Sequence, residues 1–233
     1  MIYLYAFNTS KLTSSNEVRE LFPLLSDERK ERIHRFRFEK DKLHCLLAEV
    51  LLRYALKECY QLSNLEFGKN AYGKPFLVNH NGIHFNLSHS GDWVICGVGD
   101  QDLGIDVEHI EEIEMSIAED FFARKEIEYL NTIPVEIRLG AFYSVWTMKE
   151  SYTKYMGEGM SIPFDSFAII PEKERITLYI ENSPNLKFHF QACDLDNRHK
   201  MALCFQEEGK GYRVDDMRFL KLDDIMSRYC IER

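Results

Sequence analysis

Two acidic side chains stand two positions apart in the sequence Asp-Leu-Gly-Ile-Asp-Val-Glu at residues 102–108. The pattern predicts a short strand, in which successive side chains alternate between the two faces. Asp106 and Glu108 therefore share one face, and Ile105 and Val107 share the other. Two carboxylates at this separation repel each other, which favours a cation, a shared proton or open water beside them. Structural charges also cluster in this way, so a solvated acidic face is the alternative.

A divalent cation such as Mg2+ would suit this pair, because it takes oxygen ligands and leaves room for phosphate oxygens and water. A second group of charged side chains lies on a helix that Pro134 opens and that extends to about Tyr155. Glu150 and Lys154 lie one turn apart on the stripe of this helix that carries Trp146. A Glu-Lys pair at this spacing is usually a surface pair, but its alignment with a tryptophan indicates partial burial.

The composition limits the classes of function. The chain has 233 residues, 45% of them hydrophobic and 29% charged, and a formal net charge of -9. This composition predicts a soluble globular protein, and the negative charge argues against general nucleic-acid binding. No apolar run is long enough to span a membrane, and residues 1–7 predict a first strand rather than a secretory signal. The six cysteines form no CxxC pair, which favours a reducing, cytoplasmic compartment.

Helical patterns in the first third of the chain surround a basic segment. One helix begins at Ser26, and an amphipathic helix follows from Asp41 to Tyr60. Residues 29–42 hold seven basic and three acidic residues in an otherwise acidic chain. A solvated helix face explains most of them, although a few could meet an anion.

Turn signals place further polar groups between strands. Residues 72–75 form a turn that should put Lys74 at an exposed tip. A loop at residues 88–92 should join two strands and carry Ser88 and His89.

The last third of the chain holds β-like runs that resemble an antiparallel meander, at residues 167–170, 176–180, 187–192 and 201–205. Each half of the chain thus runs strand, helices, strands. This repetition predicts an α/β (α+β) fold with a pair of similar lobes, residues 1–100 and residues 101–233.

Four short segments stand in order along the chain, namely GKP at 73–75, NLSHS at 86–90, GIDVE at 104–108 and WTMKESYTK at 146–154. Together they resemble the 4'-phosphopantetheinyl transferases of the Sfp type, whose motifs GxDxE and WxxKExxxK are both complete here. The resemblance implies a pseudo-twofold fold with the active site in the cleft between the lobes. It also implies transfer of the phosphopantetheine arm of coenzyme A to a serine of an apo acyl or peptidyl carrier protein, with Mg2+ as cofactor and 3',5'-ADP as the second product.

The resemblance assigns roles to individual residues. The metal ligands would be Asp106, Glu108 and Glu150. Glu150 and Lys154 would be catalytic, and the proton acceptor is either Glu150 or a metal-bound water. The coenzyme A contacts would be Arg29, Arg32, Lys74, Ser88 and His89, and of these His89 and the two arginines would face the 3'-phosphate. Glu126 matches an acid that some relatives place near the metal.

Two other classes of function remain open from the residues alone. A Mg2+-dependent hydrolase or nucleotidyltransferase could use the same acids without an acceptor protein. A non-catalytic homologue could bind coenzyme A or a carrier, although the intact acids and Lys154 count against it. The length of the chain and its two lobes favour a monomer that tolerates many carriers, as in nonribosomal peptide or polyketide (antibiotic) biosynthesis.

The net charge also bears on the carrier. Carrier proteins of this class are acidic, so the overall charge opposes the encounter and recognition should depend on a local apolar groove. Candidates lie just downstream of the acidic strand: Phe121, Phe122, Tyr129 and Leu130. At least one of the two phenylalanines is expected to belong to the core instead.

Overall fold

The computed structural model describes residues 1–173, 175–206 and 213–229. The α-helices and strands of the N-terminal half are β1 (Ile2–Asn8), α1 (Asp27–Arg35), α2 (Glu39–Tyr60), β2 (Phe67–Lys69), β3 (Pro75–Leu77), β4 (His84–Ser90) and β5 (Trp93–Gly99). Those of the C-terminal half are β6 (Leu103–His109), α3 (Ile117–Phe121), α4 (Arg124–Thr132), α5 (Val135–Met156), β7 (Phe167–Pro171), β8 (Ile176–Ile180), β9 (Ser183–Asn185), β10 (Phe188–Asp196), β11 (His199–Gln206), β12 (Arg218–Leu220) and α6 (Leu222–Arg228).

Two sheets lie face to face between two long helices. The strand order is β12-β1-β5-β4 in the first sheet and β10-β11-β6 in the second. Their facing sides share an apolar core that includes Leu4, Ile95, Ile105 and Leu203. Helix α2 covers the outer side of the first sheet and α5 covers the outer side of the second. This stacking of helix, sheet, sheet and helix, with 22 residues in each helix, confirms the predicted α/β fold of two similar lobes.

The two long helices end where the sequence indicates. Helix α5 follows Pro134, and it ends at Gly157, which adopts the left-handed conformation (φ 72°) that favours glycine at a helix C-cap. Helix α2 begins two residues before the predicted start and ends at Tyr60 as predicted. Helix α1 has Ser26 as its N-cap, whose side chain accepts a hydrogen bond from the backbone of Arg29.

The prediction of a loop at residues 88–92 is wrong. Strand β4 continues through Ser90 and pairs with β5 along its length, so only Gly91 and Asp92 form the turn. The serines suggested a loop because they are polar. In the structure, however, the polar residues of β4 alternate with Phe85 and Leu87, and they cover a second strand instead of facing water.

The predicted single meander is also wrong. Strands β7, β8 and β9 form one antiparallel sheet, whereas β10 and β11 belong to another. In that second sheet, β11 pairs with β6, with Ala202 opposite Asp106. Strand patterns alone do not identify the partner of a strand when that partner is distant in the sequence.

The end of the described chain returns to the first lobe. Strand β12 pairs in parallel with β1, with Arg218 opposite Tyr5, and Ile225 and Met226 of α6 join the core beneath α2. The division into residues 1–100 and 101–233 remains a prediction. No helix among the described residues is long and apolar enough to cross a membrane. The cysteines within the described ranges are free, namely Cys45, Cys59, Cys96, Cys193 and Cys204, and Cys193 is exposed; Cys230 lies outside these ranges.

Candidate active site

Strand β6 carries its acidic face into the space between β4 and α5. Ile105 and Val107 enter the core between the two sheets, as the alternation of the strand predicts. Asp106 is buried and Glu108 is partly buried on the opposite face. The residues that the sequence singled out therefore lie beneath a helix and not on a solvated sheet.

Gly104 allows α5 to approach β6 closely. A Cβ atom at this position would lie 1.9 Å from the carbonyl oxygen of Ser151 and 2.4 Å from the backbone nitrogen of Tyr155. No side chain fits at these distances, so the first position of the GxDxE motif requires glycine. The close approach brings Lys154 of α5 to Asp106 of β6.

Asp106 takes part in a three-membered hydrogen-bonded cluster. Its Oδ1 accepts hydrogen bonds from Ser88 Oγ at 2.8 Å and from Lys154 Nζ at 2.5 Å, and Lys154 Nζ also donates to Ser88 Oγ at 2.9 Å. Burial raises the pKa of Asp106, while the charge of Lys154 and the hydrogen bonds from both partners oppose the shift. Within the described part of the chain, the buried Oδ2 of Asp106 has no hydrogen-bond partner.

The two other carboxylates of this region are coupled to Asp106. Burial and the charge of Asp106 raise the pKa of Glu108 to about 7, and Ser90 Oγ donates to Glu108 Oε2 at 2.8 Å. Burial and the charge of Asp106 also raise the pKa of Glu150. The three acids therefore share one electrostatic environment, in which the positive charge of Lys154 opposes the upward pKa shift of each.

These acids fit a hard divalent cation by their chemistry. All three offer carboxylate oxygens, one buried oxygen of Asp106 lacks a partner, and a cation would reverse the upward pKa shifts. Over the ranges that the structure describes, however, no three His, Cys, Asp or Glu side chains form a group that could hold a metal ion. Lys154 occupies one oxygen of Asp106, so the metal site remains a prediction.

The remaining lysine of the WxxKExxxK motif has a different role. Lys149 is fully buried and donates to both carboxylate oxygens of Glu126, at 2.8 and 2.7 Å, and to the carbonyl oxygen of Phe167 at 2.7 Å. The same carboxylate accepts hydrogen bonds from the backbone of Ala123 and Ile169. Burial lowers the pKa of Lys149 to about 8 and raises that of Glu126, and each charge opposes the shift of the other. Both oxygens of Glu126 thus accept hydrogen bonds from Lys149 of α5, and one each from the backbone of Ala123 and of Ile169 in β7, which argues against a metal ligand.

Lys74 does not lie at an exposed tip, so that prediction is wrong. Its Nζ donates to the carbonyl oxygen of Tyr155 at 2.9 Å, and burial lowers its pKa. The turn before β3 packs on the end of α5, because Asn70 also donates to the carbonyl oxygen of Gly157. A cavity of about 330 Å3 is lined by Lys74, Glu150 and Lys154 together with part of the turn. The structure therefore brings Lys74 to the same cavity as Glu150 and Lys154.

The residues predicted to face a 3'-phosphate lie on the other side of this turn. Arg29 and Arg32 line one small cavity with Gly73 and Pro75. Arg29 Nε donates to Glu49 Oε2 at 3.2 Å, so much of its charge is already balanced. The side chain of Arg32 lies 5.7 Å from the ring centre of Phe36. Arg32 is thus the better placed of the two to meet an anion.

His89 is affected by the charges of both Arg32 and Lys154. It is exposed at the surface of β4, and its ring packs against His44 of α2 with ring centres 5.0 Å apart. Desolvation lowers the pKa of His89, and the positive charges of Lys154, Arg32 and Arg29 lower it further. Three cationic side chains thus act on the imidazole, and the carboxylate of Asp41 opposes them.

Sequence reasoning missed several residues that shape this region. Asn86 and Ser90 bind β6 directly, and His44 packs against His89. The polar residues at every second position of β4 were a usable signal for a strand with one polar face. The run of polar residues and glycine at 88–92 also resembles a loop, and this resemblance favoured the wrong interpretation.

The family models and curated relatives that match this chain carry the same family description. The model of the "4'-phosphopantetheinyl transferase superfamily" matches residues 102–204, and that of "4'-phosphopantetheinyl transferase, N-terminal" matches residues 12–99. The chain is 33% identical over 204 residues to 4'-phosphopantetheinyl transferase Sfp of Bacillus subtilis (strain 168), covering 86% of this chain and 91% of that protein.

Two further relatives show a similar level of identity. The 4'-phosphopantetheinyl transferase psf-1 of Bacillus pumilus is 34% identical over 231 residues, covering 97% of both chains. The 4'-phosphopantetheinyl transferase gsp of Aneurinibacillus migulanus is 38% identical over 174 residues, covering 72% of this chain and 73% of its own. A solved structure of Thermotoga maritima holo-[acyl-carrier-protein] synthase overlaps 47% of this chain and 65% of its own, at 21% identity and a TM-score of 0.40.

Proposed function

The chain belongs to the 4'-phosphopantetheinyl transferase superfamily, and we propose on this basis how its own residues perform the transfer. The enzyme moves the 4'-phosphopantetheine arm of coenzyme A to a serine hydroxyl of an apo carrier protein and releases 3',5'-ADP. The observation that carries this assignment to the cleft is the cluster of Asp106, Ser88 and Lys154, which joins the two family motifs to the NLSHS segment.

Different parts of the chain bind the 3'-phosphate of coenzyme A and the rest of the molecule. Arg32, Arg29 and His89 bind the 3'-phosphate, since they bring positive charge to one region at the edge of the cleft. Lys74 and Ser88 contact the remainder of the molecule. Lys154 moves part of its hydrogen bonding from Asp106 to the diphosphate. There its positive charge offsets the negative charge that builds on the leaving group.

The reaction forms one bond to phosphorus and breaks another. The serine oxygen of the carrier attacks the phosphorus that bears the pantetheine arm. The bond from that phosphorus to the bridging oxygen breaks, and its electron pair leaves with 3',5'-ADP. The proton of the serine passes to Glu150, which lines the same cavity as Lys74 and Lys154, or to a water beside it.

Asp106, Glu108 and Glu150 are the residues that would hold Mg2+. When bound, the ion would supply positive charge to the diphosphate. These residues suit such an ion, because burial raises the pKa of all three carboxyl groups and a bound cation would oppose these shifts.

The finer assignments follow from the sequence. The protein acts as a cytoplasmic monomer, binds no nucleic acid or membrane, and serves carriers of nonribosomal peptide or polyketide (antibiotic) biosynthesis. The lobes comprise residues 1–100 and 101–233, and the site residues have the roles given above. Phe121, together with the adjoining α4, forms the carrier-binding surface, since it is 42% exposed whereas Phe122 is buried.

The decisive experiment combines the protein with coenzyme A, Mg2+ and an apo carrier. We expect the carrier to gain the mass of one phosphopantetheine arm and 3',5'-ADP to accumulate in equal amount. Hydrolysis products of coenzyme A with an unmodified carrier would instead support a hydrolase. Binding of coenzyme A or carrier without either product would support a non-catalytic homologue.

A further inference from the structure

Three polar side chains of β4 repeat one arrangement along the edge of β6. The backbone N–H groups of β6 donate to them at 3.0, 3.4 and 3.0 Å, in the pairs Ile105 to Asn86, Val107 to Ser88 and His109 to Ser90. The two residues of each pair are 19 positions apart in the chain. The side chains of β4 therefore bind the edge of β6 that faces away from β11.

The direction of the Ser90 hydroxyl proton follows from its partners. The backbone N–H of His109 can only donate, so Ser90 Oγ accepts its hydrogen bond. The single proton of Ser90 is then available to Glu108 Oε2, which lies 2.8 Å away. Ser90 thus fixes one carboxylate oxygen while it is itself fixed by the backbone of β6.

Ser88 shows the same arrangement one repeat earlier. Its Oγ accepts hydrogen bonds from the backbone of Val107 and from Lys154 Nζ, so its proton goes to Asp106 Oδ1 at 2.8 Å. The other oxygen of Asp106 is the buried atom that lacks a partner within the described residues. At both positions, a serine of β4 holds one oxygen of a carboxylate of β6.

We propose that Ser90 is a positioning residue: it keeps the carboxylate of Glu108 oriented for the metal ion. Its hydrogen bond to Oε2 restricts the rotation of the carboxylate, and it leaves Oε1 available to a metal ion that Glu108 would hold. Side chains that hold a metal-binding carboxylate in place commonly affect metal affinity about 10- to 100-fold. The inference rests on the proposed function, in which Glu108 is a metal ligand.

The test measures binding of Mn2+, which prefers the same oxygen ligands as Mg2+, by the loss of the free-ion signal in electron paramagnetic resonance. Titrations of the protein with Mn2+ are made without and with coenzyme A. We expect Ser90→Ala to weaken Mn2+ binding by about 10-fold or more, and Ser90→Thr, which keeps the hydroxyl, to restore it.

Asn86→Ala is the matched control, because Asn86 binds the backbone of β6 but no carboxylate of the pair. We expect it to lower the midpoint of thermal unfolding and to leave Mn2+ affinity near that of the wild type. Should Ser90→Ala fail to fold, Ser90→Cys, with its weaker hydrogen bonds, takes its place. Wild-type Mn2+ affinity in the Ser90 variant, or equal losses in the Ser90 and Asn86 variants, would overturn the inference.

A further variant separates this inference from the proposed function. Glu108→Gln should weaken Mn2+ binding if Glu108 is a ligand. If it does not, the metal assignment itself fails, and the role of Ser90 fails with it. If Glu108→Gln weakens binding and Ser90→Ala does not, only the role of Ser90 is refuted.

Discussion

Lys154 Nζ lies 2.5 Å from Asp106 Oδ1, so the ammonium group of α5 balances the carboxylate that β6 buries. Ser88 Oγ joins both groups and completes a bridge between the two lobes. The proposed function assigns the same carboxylate to a metal ion. Lys154 is therefore expected to stabilise the cleft before the substrates bind and to bind the diphosphate afterwards.

Replacement of Lys154 by methionine tests both roles. Asp106 would keep the hydrogen bond from Ser88 but lose its charged partner, which should cost about 1–3 kcal/mol of unfolding free energy. The loss of a positive charge near the leaving group should lower kcat by about 100-fold or more. Urea unfolding and steady-state kinetics with coenzyme A and a carrier measure the two effects.

A double variant separates stability from catalysis. Asp106→Asn combined with Lys154→Met removes both charges, so it should recover stability without recovering transfer. Lys187→Met, which changes an exposed lysine, serves as the control and should alter neither quantity. A Lys154→Met enzyme that keeps most of its turnover rate would rule out the electrostatic role.

The raised pKa of Glu108, about 7, predicts a pH dependence of stability. A carboxyl group whose pKa is higher in the folded than in the unfolded protein stabilises the fold at low pH, and that contribution is lost as the pH rises through the folded pKa. Without divalent ions, the stability contributed by Glu108 should therefore fall between about pH 4.5 and 7. Thermal unfolding in a chelator, compared with Glu108→Gln, should show a flatter pH profile for the variant. Identical profiles would contradict the shift.

His89→Ala should weaken the binding of coenzyme A more than the binding of dephospho-coenzyme A. A hydrogen bond to a charged phosphate is worth about 1.5–3 kcal/mol, and only coenzyme A carries the 3'-phosphate. Binding of coenzyme A should therefore weaken much more than binding of the dephospho form, as isothermal titration calorimetry can measure. His84 of the same strand binds Asp102, so His84→Ala is the control and should show no such discrimination. Equal weakening of both ligands in His89→Ala would remove His89 from the 3'-phosphate site.

The neighbouring phenylalanines at the end of α3 should respond differently to truncation. Phe121 is 42% exposed, whereas Phe122 is 2% exposed and stacks on Phe142. Phe121→Ala should raise the KM for the carrier with little change in the KM for coenzyme A. Phe122→Ala should instead lower the free energy of unfolding by about 3–5 kcal/mol.

The same surface predicts how carrier recognition depends on salt. Contacts between apolar groups are little affected by ionic strength, whereas steering by charge weakens steeply. The KM for the carrier should therefore change little, or improve slightly, as salt is raised to moderate levels. A steep rise in this KM would point to the basic segment at residues 29–42 as the docking surface.

The sequence predicted best those features that depend on neighbouring residues. Alternation along β6 placed Asp106 and Glu108 together, and the spacing along α5 placed Glu150 and Lys154 on one stripe. The sequence shows Gly104 as part of a motif. The reason that this position requires glycine is the close approach of the backbone of α5, which only the structure shows.

Features that depend on distant segments could not be predicted. A Gly-Pro turn predicts an exposed tip for Lys74, yet Lys74 packs on the end of α5. The segment of Ser90 predicts a loop, because nothing in that segment shows that β6 lies beside it. Lys149 and Glu126 lie 23 positions apart, and only their shared burial shows that they form a pair.

The buried pair of Glu126 and Lys149 should tolerate the loss of both charges better than the loss of one. Glu126→Gln leaves the ammonium group of Lys149 buried without its counter-charge, and breaking a buried pair in this way costs about 3–5 kcal/mol of unfolding free energy. The double variant Glu126→Gln with Lys149→Met removes both charges and should recover much of that loss. Because both oxygens of Glu126 accept hydrogen bonds from Lys149 and from the backbone of Ala123 or Ile169, the Mg2+ concentration that gives half-maximal transfer should not change in Glu126→Gln. Urea unfolding and Mg2+ titrations of activity at a temperature where the variant is folded measure both quantities, with Glu108→Gln as the variant that should shift the Mg2+ dependence. A comparable shift in Glu126→Gln would show instead that Glu126 leaves Lys149 and reaches the metal during catalysis.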